Sequence, residues 1–235
     1  MPGIIVQLII SWIIIRLVEK KDLSILRLWP SGKKLAWFVL FFLVTSFFAS
    51  SGFLLRIYYG ERWVLNPVFS FSLLMDGLWY NIKSVLYEEL IFRGVLLYIL
   101  VKRLGINTGI IISAVGFGIY HWFTYEILGD IKMMLFIFFI TGIAGLLYAY
   151  GYAKSNTLWI PIAIHLGWNF TRNFIFSDGN IGNGVLIYSK PAFTSTVSHF
   201  IYYLIAYFPM MGALGINWLI IKKKYNGPEK QNTSW

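Results

Sequence analysis

Residues 133–153 read MMLFIFFITGIAGLLYAYGYA, a run without one Asp, Glu, Lys, Arg or His that is long enough to cross a bilayer as a helix. It is not isolated. Uncharged stretches also cover Met1–Ile15, Leu35–Leu55, Leu104–Tyr125, Ser155–Thr171 and Pro191–Ile221. The composition agrees: of 235 residues, 58% are hydrophobic, 19% aromatic and only 13% charged. A soluble globular chain is nearer ~45–50% apolar and ~25% charged, so the expectation is an all-α, polytopic transmembrane bundle. There is no cysteine, which excludes disulfide scaffolds, thiol nucleophiles, cysteine-held metals and thiol lipidation.

The net charge of +10 invites a nucleic-acid reading, but the basic residues punctuate apolar runs instead of clustering beside stacking aromatics. Nucleic acid is therefore not an expected partner. The charges serve to orient the chain. Between Phe69 and Val101 lies an apolar segment interrupted by Asp76, Lys83, Glu88, Glu89 and Arg93, readable as one long bent helix or two short ones. If it crosses once, twelve basic residues gather on one side, among them Lys20, Lys21, Lys102, Arg103 and Lys222–Lys224, and five on the other, Arg56, Arg62, Lys132, Arg172 and Lys190. Positive-inside bias then expects about seven spans, with six to eight as the range, the N-terminus outside and the C-terminus cytoplasmic.

The first span has no basic residue before it and no small-residue cleavage site after it, so it reads as an anchor. Val18–Lys34 mixes Leu, Ile and Trp with Lys and Arg, as a headgroup-level segment does. No repeat or second domain is visible, and residues 1–225 read as a single integral-membrane domain whose motif core is about 69–174. Residues 226–235 read as a disordered polar cytoplasmic tail.

Ionisable side chains at bilayer depth cost ~2.5–3.5 kcal/mol each on insertion scales, so those present need a reason. Three clusters stand out: Tyr87-Glu-Glu-Leu-Ile-Phe-Arg-Gly94, Phe117-x-x-x-His121 and His165-x-x-x-Asn169. At ~100° per residue, Glu89 and Arg93 share a helix face while Glu88 turns away from it. Glu89 and Arg93 are expected to pair, and Glu88 is the carboxylate suited to general acid or base work. A purely structural ion network of all three is the bland alternative. Phe117 with His121, and His165 with Asn169, also share faces, and a lone intramembrane His commonly makes an interhelical hydrogen bond.

Depth favours chemistry. Counted from the expected cytoplasmic ends at ~1.5 Å per residue, Glu88 and His121 lie ~20 Å in and His165 ~12 Å in, one layer within the error of the span ends. A carboxylate, two imidazoles and an amide from three helices could activate water, protonate a leaving amine and stabilise an oxyanion in a cavity between helices. The same Glu88, His121 and His165 could instead hold a divalent metal such as zinc; there is no His-Glu-x-x-His helix. Elsewhere, Asp76 and Lys83 are read as a pair or as reaching water, His199 as interfacial, and Gly142, Gly145 and Gly151 as packing residues.

These three clusters, in this order and on successive helices, resemble the CPBP intramembrane proteases, the CAAX prenyl protease type II and bacteriocin-processing (Abi-like) group. The Phe-Arg-Gly run and Leu158-Trp-Ile-Pro-Ile-Ala-Ile-His165 are similar to the family as well, and the likeness covers about Leu86–Asn169. It implies that Glu88 activates water with Glu89 and Arg93 in support. His121 then holds the water, and His165 and Asn169 stabilise the oxyanion. The family is often described as metalloproteases, yet members of this type look able to work through glutamate without a bound metal.

The expected function is thus an endopeptidase acting on membrane-associated peptides or proteins, in a bacterial plasma membrane, in bacteriocin processing or self-immunity. A non-catalytic membrane scaffold or immunity protein, and a proton-coupled transporter, are the competing classes. The substrate and the oligomeric state are not legible in the sequence.

Overall fold

A computed structural model describes residues 2–28, 32–178, 184–190 and 197–225. The expected polar tail, 226–235, lies outside the described residues. Eight α-helices account for most of what is described: α1 Pro2–Glu19, α2 Gly32–Tyr58, α3 Phe71–Phe92, α4 Val95–Leu104, α5 Ile106–Thr124, α6 Ile131–Ser155, α7 Trp159–Asn169 and α8 His199–Tyr225. The all-α membrane fold holds.

Five of these, α1, α2, α5, α6 and α8, are long and apolar enough to span a bilayer. The two other stretches expected to cross are the ones that bear motif charges. α3 carries Asp76, Lys83, Glu88 and Glu89 within 22 residues, and α7 is only 11 residues long before its geometry changes. Large apolar side chains such as Leu17, 78% exposed, and Phe47, 69% exposed, point outward from the spanning helices, where a lipid solvent replaces a protein core.

The helix ends follow local chemistry. Asp130 precedes α6 and its carboxylate accepts from the Met133 amide at 3.1 Å. Asn156 ends it in the left-handed conformation, φ 50°, donating its own amide to the Tyr152 carbonyl at 2.7 Å. Between α1 and α2, the Ser24 hydroxyl and amide hold the Asp22 carboxyl below the ordinary aspartate range while Asp22 caps a short 3-10 turn over Leu23–Leu26.

Three features go beyond the sequence reading, the first by choosing between the two forms it left open for one segment. The ambiguous segment 69–101 is two helices, α3 and α4, separated at Arg93–Gly94. Second, α7 continues as a π-helix over Phe170–Ile175, with the Phe176 amide reaching back five residues to the Thr171 carbonyl at 3.1 Å. Third, the linkers after α2 and after the π-helix form two short antiparallel strands, β1 Arg62–Leu65 and β2 Leu186–Lys190, which pair Trp63 with Tyr188 and Leu65 with Leu186. Strands of four and five residues are too short to leave a periodic signal. Their register is held by Asn66, whose side-chain amide donates to the Gly184 carbonyl at 2.9 Å and whose backbone amide donates to the Val185 carbonyl at 2.9 Å.

The chain forms two compact units. One takes Met1–Trp37, Leu86–Ile162 and Trp218–Trp235; the other takes Phe38–Val85 and Ala163–Asn217. The core of the first lies among α4, α5 and α6, with Leu97, Tyr98, Phe117, Tyr148 and Ala149 buried. Glu19 ties α1 to α4 through Lys102 and Arg103, the latter at 2.9 Å. In the second unit Phe41, Ala49, Phe53, Ile205 and Ala213 are buried. There Asn217 donates to the Thr45 hydroxyl at 2.9 Å and Thr45 passes a hydrogen bond to the Phe41 carbonyl at 2.8 Å, so two helices share a buried polar link in an apolar layer.

Candidate active site

In the first unit the C-terminal turns of α3 place Glu88 and Glu89 on different faces, as the ~100° spacing requires. Arg93 Nη1 sits 3.2 Å from Glu89 Oε1, and both side chains are fully buried. The guanidinium is held on its other sides by three further residues, of which the sequence did not single out Tyr148. Its Nη2 donates to the Gly145 carbonyl at 3.3 Å, and its plane lies 4.1 Å from the Phe117 ring centre and 5.1 Å from that of Tyr148. Phe117 thus supports Arg93 as well as His121. A desolvated guanidinium between two rings is where cation–π attraction is strongest.

Gly145 has a definite steric role here. A β-carbon on it would lie 3.0 Å from the Phe117 ring and 3.2 Å from Arg93 Nη2, so glycine lets the α6 backbone approach without pushing either neighbour aside. This bears out the packing reading of Gly145. A carbonyl acceptor has no side-chain signature, which is why sequence reasoning missed its second role.

The break after Arg93 has its own supports. α3 ends at Phe92, and the Phe92 carbonyl, freed from the helix ladder, accepts the Ser113 hydroxyl of α5 at 2.8 Å. A β-carbon on Gly94 would lie 2.2 Å from the Leu90 carbonyl oxygen, a distance no real contact reaches. We expect Gly94→Ala to destabilise the protein by about 1–3 kcal/mol through this overlap, read as a fall in the thermal midpoint of purified protein. An unchanged midpoint would mean the break does not depend on glycine.

His121 lies on α5, one turn beyond Phe117, with its ring centre 4.5 Å from the Phe117 ring. Its Nδ1 is 2.8 Å from the Phe117 carbonyl oxygen. A carbonyl only accepts, so Nδ1 carries the proton and Nε2 of the neutral ring presents a lone pair. That Nε2 is 3.9 Å from Glu88 Oε2. The distance is too long for a direct hydrogen bond, and both atoms are acceptors when the imidazole is neutral and the carboxylate ionised. What fits between two such acceptors is a molecule with two hydrogens to donate. Glu88 and His121 are both nearly buried, at 8% and 9% exposure, so that molecule would be shielded from bulk water.

The other expected site residues belong to the second unit. His165, buried, and Asn169 lie one turn apart on α7, and the Asn169 side-chain amide donates to His165 Nε2 at 3.2 Å. The proton of neutral His165 is then on Nδ1. α7 is brought close to α2 by Gly167, where a β-carbon would lie 2.6 Å from the Phe42 carbonyl oxygen, and by Ser46, which donates to the Gly167 carbonyl at 3.2 Å. The π-helix begins immediately after Asn169, and such irregular turns recur at functional sites.

The remaining charged candidates sort out simply. Asp76 is exposed and accepts from Ser72 at 3.5 Å, whereas Lys83 lies over the Tyr80 ring. Among the described residues no three of His, Asp and Glu are grouped as metal ligands would be. Glu88 and His121 belong to the first unit and His165 to the second, and no step is derived through a metal.

Residues 69–171 match a family model described as Rce1-like, type II CAAX prenyl endopeptidase Rce1-like. Over this segment, which is less than half of the chain, the protein is similar to the type II CAAX prenyl endopeptidases. The matched residues hold all three motifs, from Glu88 to Asn169, and they begin where the charged segment begins. No curated protein and no solved structure matches the chain. The matching family is one of proteases, and the five apolar helices make this protein an integral membrane protein.

Proposed function

We propose that the protein hydrolyses peptide bonds of membrane-associated peptides or proteins by glutamate-activated water. The observation that carries this is the pairing of Glu88 Oε2 with His121 Nε2 at 3.9 Å, with the imidazole tautomer set by the Phe117 carbonyl. A water donating one hydrogen to each acceptor would be oriented by His121 and poised to give its other proton to Glu88. Its oxygen then bonds to the scissile carbonyl carbon as the C=O π pair moves onto oxygen. Collapse of that intermediate reforms C=O and breaks C–N, and the amine leaves with the proton that Glu88 took.

Glu89 and Arg93 position this pair without touching the reacting atoms. We assign His165 and Asn169 to the oxyanion from motif resemblance. Asn169 already gives one amide hydrogen to His165, which leaves its second amide hydrogen for that task. The proposed setting is a bacterial plasma membrane, N-terminus out and C-terminus cytoplasmic, in bacteriocin processing or self-immunity. The charge bias supports the orientation.

The test needs no guess about substrate. Membrane-protein termini are compared by mass spectrometry in cells making wild-type or His121→Ala protein at matched levels. New termini should appear only with the wild type, and the purified enzyme should keep cleaving that substrate in the presence of a chelator. Identical termini at matched abundance would support the scaffold class instead. Loss of cleavage on chelation, restored by zinc, would overturn the metal-free mechanism but leave the protease. Proton-dependent solute uptake by proteoliposomes, without cleavage, would support the transporter.

A further inference from the structure

The second unit contains a cleft of about 460 Å³ that the proteolytic reading does not use. Its floor is formed by single faces of α2 and α8. On α2 the lining residues Ala49, Gly52, Phe53 and Arg56 fall at helical spacing, and on α8 Tyr202, Ile205, Ala206 and Pro209 do the same. The helices run antiparallel along it: a β-carbon on Gly52 would meet Pro209 Cγ at 2.8 Å, and one on Gly212 would overlap the Phe48 ring. Ala49 and Pro209 therefore mark an apolar end, and Arg56 and Tyr202 mark the other end, ~10 Å away at 1.5 Å per residue.

The Arg56 end is charged. Arg56 Nε bonds Glu61 at 2.9 Å, Arg56 Nη1 lies 3.4 Å from Asp178, and Arg172 Nη2 lies 2.7 Å from the other oxygen of Asp178. Two guanidinium groups bring ten N–H donors to two carboxylates, so donors remain for a further acceptor. Arg172 is 41% exposed and gives only one of its nitrogens to Asp178, which makes it the arm best able to reach a ligand. Trp168 and Tyr188 wall this end.

We propose that the cleft binds one membrane phospholipid, its phosphodiester at Arg172 and Arg56 and an acyl chain along the α2–α8 floor. Guanidinium forks match phosphate oxygens in geometry. The quartet Arg56, Glu61, Arg172 and Asp178 has no net charge, so it does not concentrate free anions, and affinity has to come jointly from the apolar floor. Both helices of the floor are apolar enough to span a bilayer, and the amphiphile that surrounds such helices is phospholipid. The volume falls in the ~300–1,000 Å³ range of pockets that enclose small molecules.

The test is native mass spectrometry of the full-length protein in detergent, titrated with phosphatidylglycerol, with diacylglycerol of the same chains, and with inorganic phosphate. One phosphatidylglycerol should be retained per protein, and diacylglycerol should be retained at least fivefold less. Arg172→Gln should lower lipid occupancy at least fivefold, and so should Ala206→Trp, which fills the cleft from an exposed position and tests the floor independently of the ion pairs. Lys132→Gln, at an exposed site in the first unit, should leave it unchanged. Equal retention by wild type and both cleft variants overturns the proposal. So does displacement of the lipid by inorganic phosphate or by a peptide with a free C-terminal carboxylate at equal concentration, or a loss in Lys132→Gln as large as in Arg172→Gln.

Discussion

Glu88→Gln should lower the rate of peptide cleavage by about 10²–10⁴-fold while the protein accumulates and unfolds as the wild type does. The amide keeps the size of the carboxylate and can still face His121, but it cannot take a proton from water. Since Glu88 makes no part of the buried Glu89–Arg93 pair, stability should change little. The check is single-turnover cleavage of whichever substrate the terminal-peptide comparison identifies, alongside thermal unfolding of the same preparation. Retained cleavage in Glu88→Gln would remove the proposed base, and lost cleavage with lost folding would show that the carboxylate is structural. His121→Ala should fail in the same manner, because the water then loses its second acceptor.

The largest effect on stability is expected from Arg93. Arg93→Met should destabilise the protein by about 3–5 kcal/mol, because it takes from the buried Glu89 carboxylate the guanidinium that pairs with it. Glu89→Gln should cost less, since Arg93 retains the Gly145 carbonyl and the rings of Phe117 and Tyr148. Combining Arg93→Met with Glu89→Leu should recover most of the loss, as apolar replacement of a whole buried pair often does. The comparison is a double-mutant cycle on thermal midpoints in one detergent and lipid mixture. If the double variant is as unstable as Arg93→Met, the Gly145 and ring contacts of Arg93 carry the stability and the ion pair does not.

Much of the candidate site was legible because helical geometry is local. The four-residue spacings of Glu89 with Arg93, Phe117 with His121 and His165 with Asn169 each predict a shared face, and each pair does meet in the structure. The supports were not legible. Gly145 and Phe92 act through their carbonyl oxygens, which every residue possesses, and Ser113 and Tyr148 are ordinary on apolar helices.

The sequence by itself determined that the chain lives in a membrane, that its elements are helices, and which polar residues need a partner, because burying a charge in hydrocarbon is too costly to be incidental. It also carried the family likeness, since the motif order is a property of the chain. Only the tertiary structure decided that segment 69–101 divides at Arg93–Gly94, that α7 loosens into a π-helix after Asn169, and that two linkers pair as strands. It also decided the His121 tautomer and the cleft between α2 and α8. In each of these the determining contact joins residues far apart in the chain, or a backbone group with no side-chain signature. Periodicity and composition are blind to both.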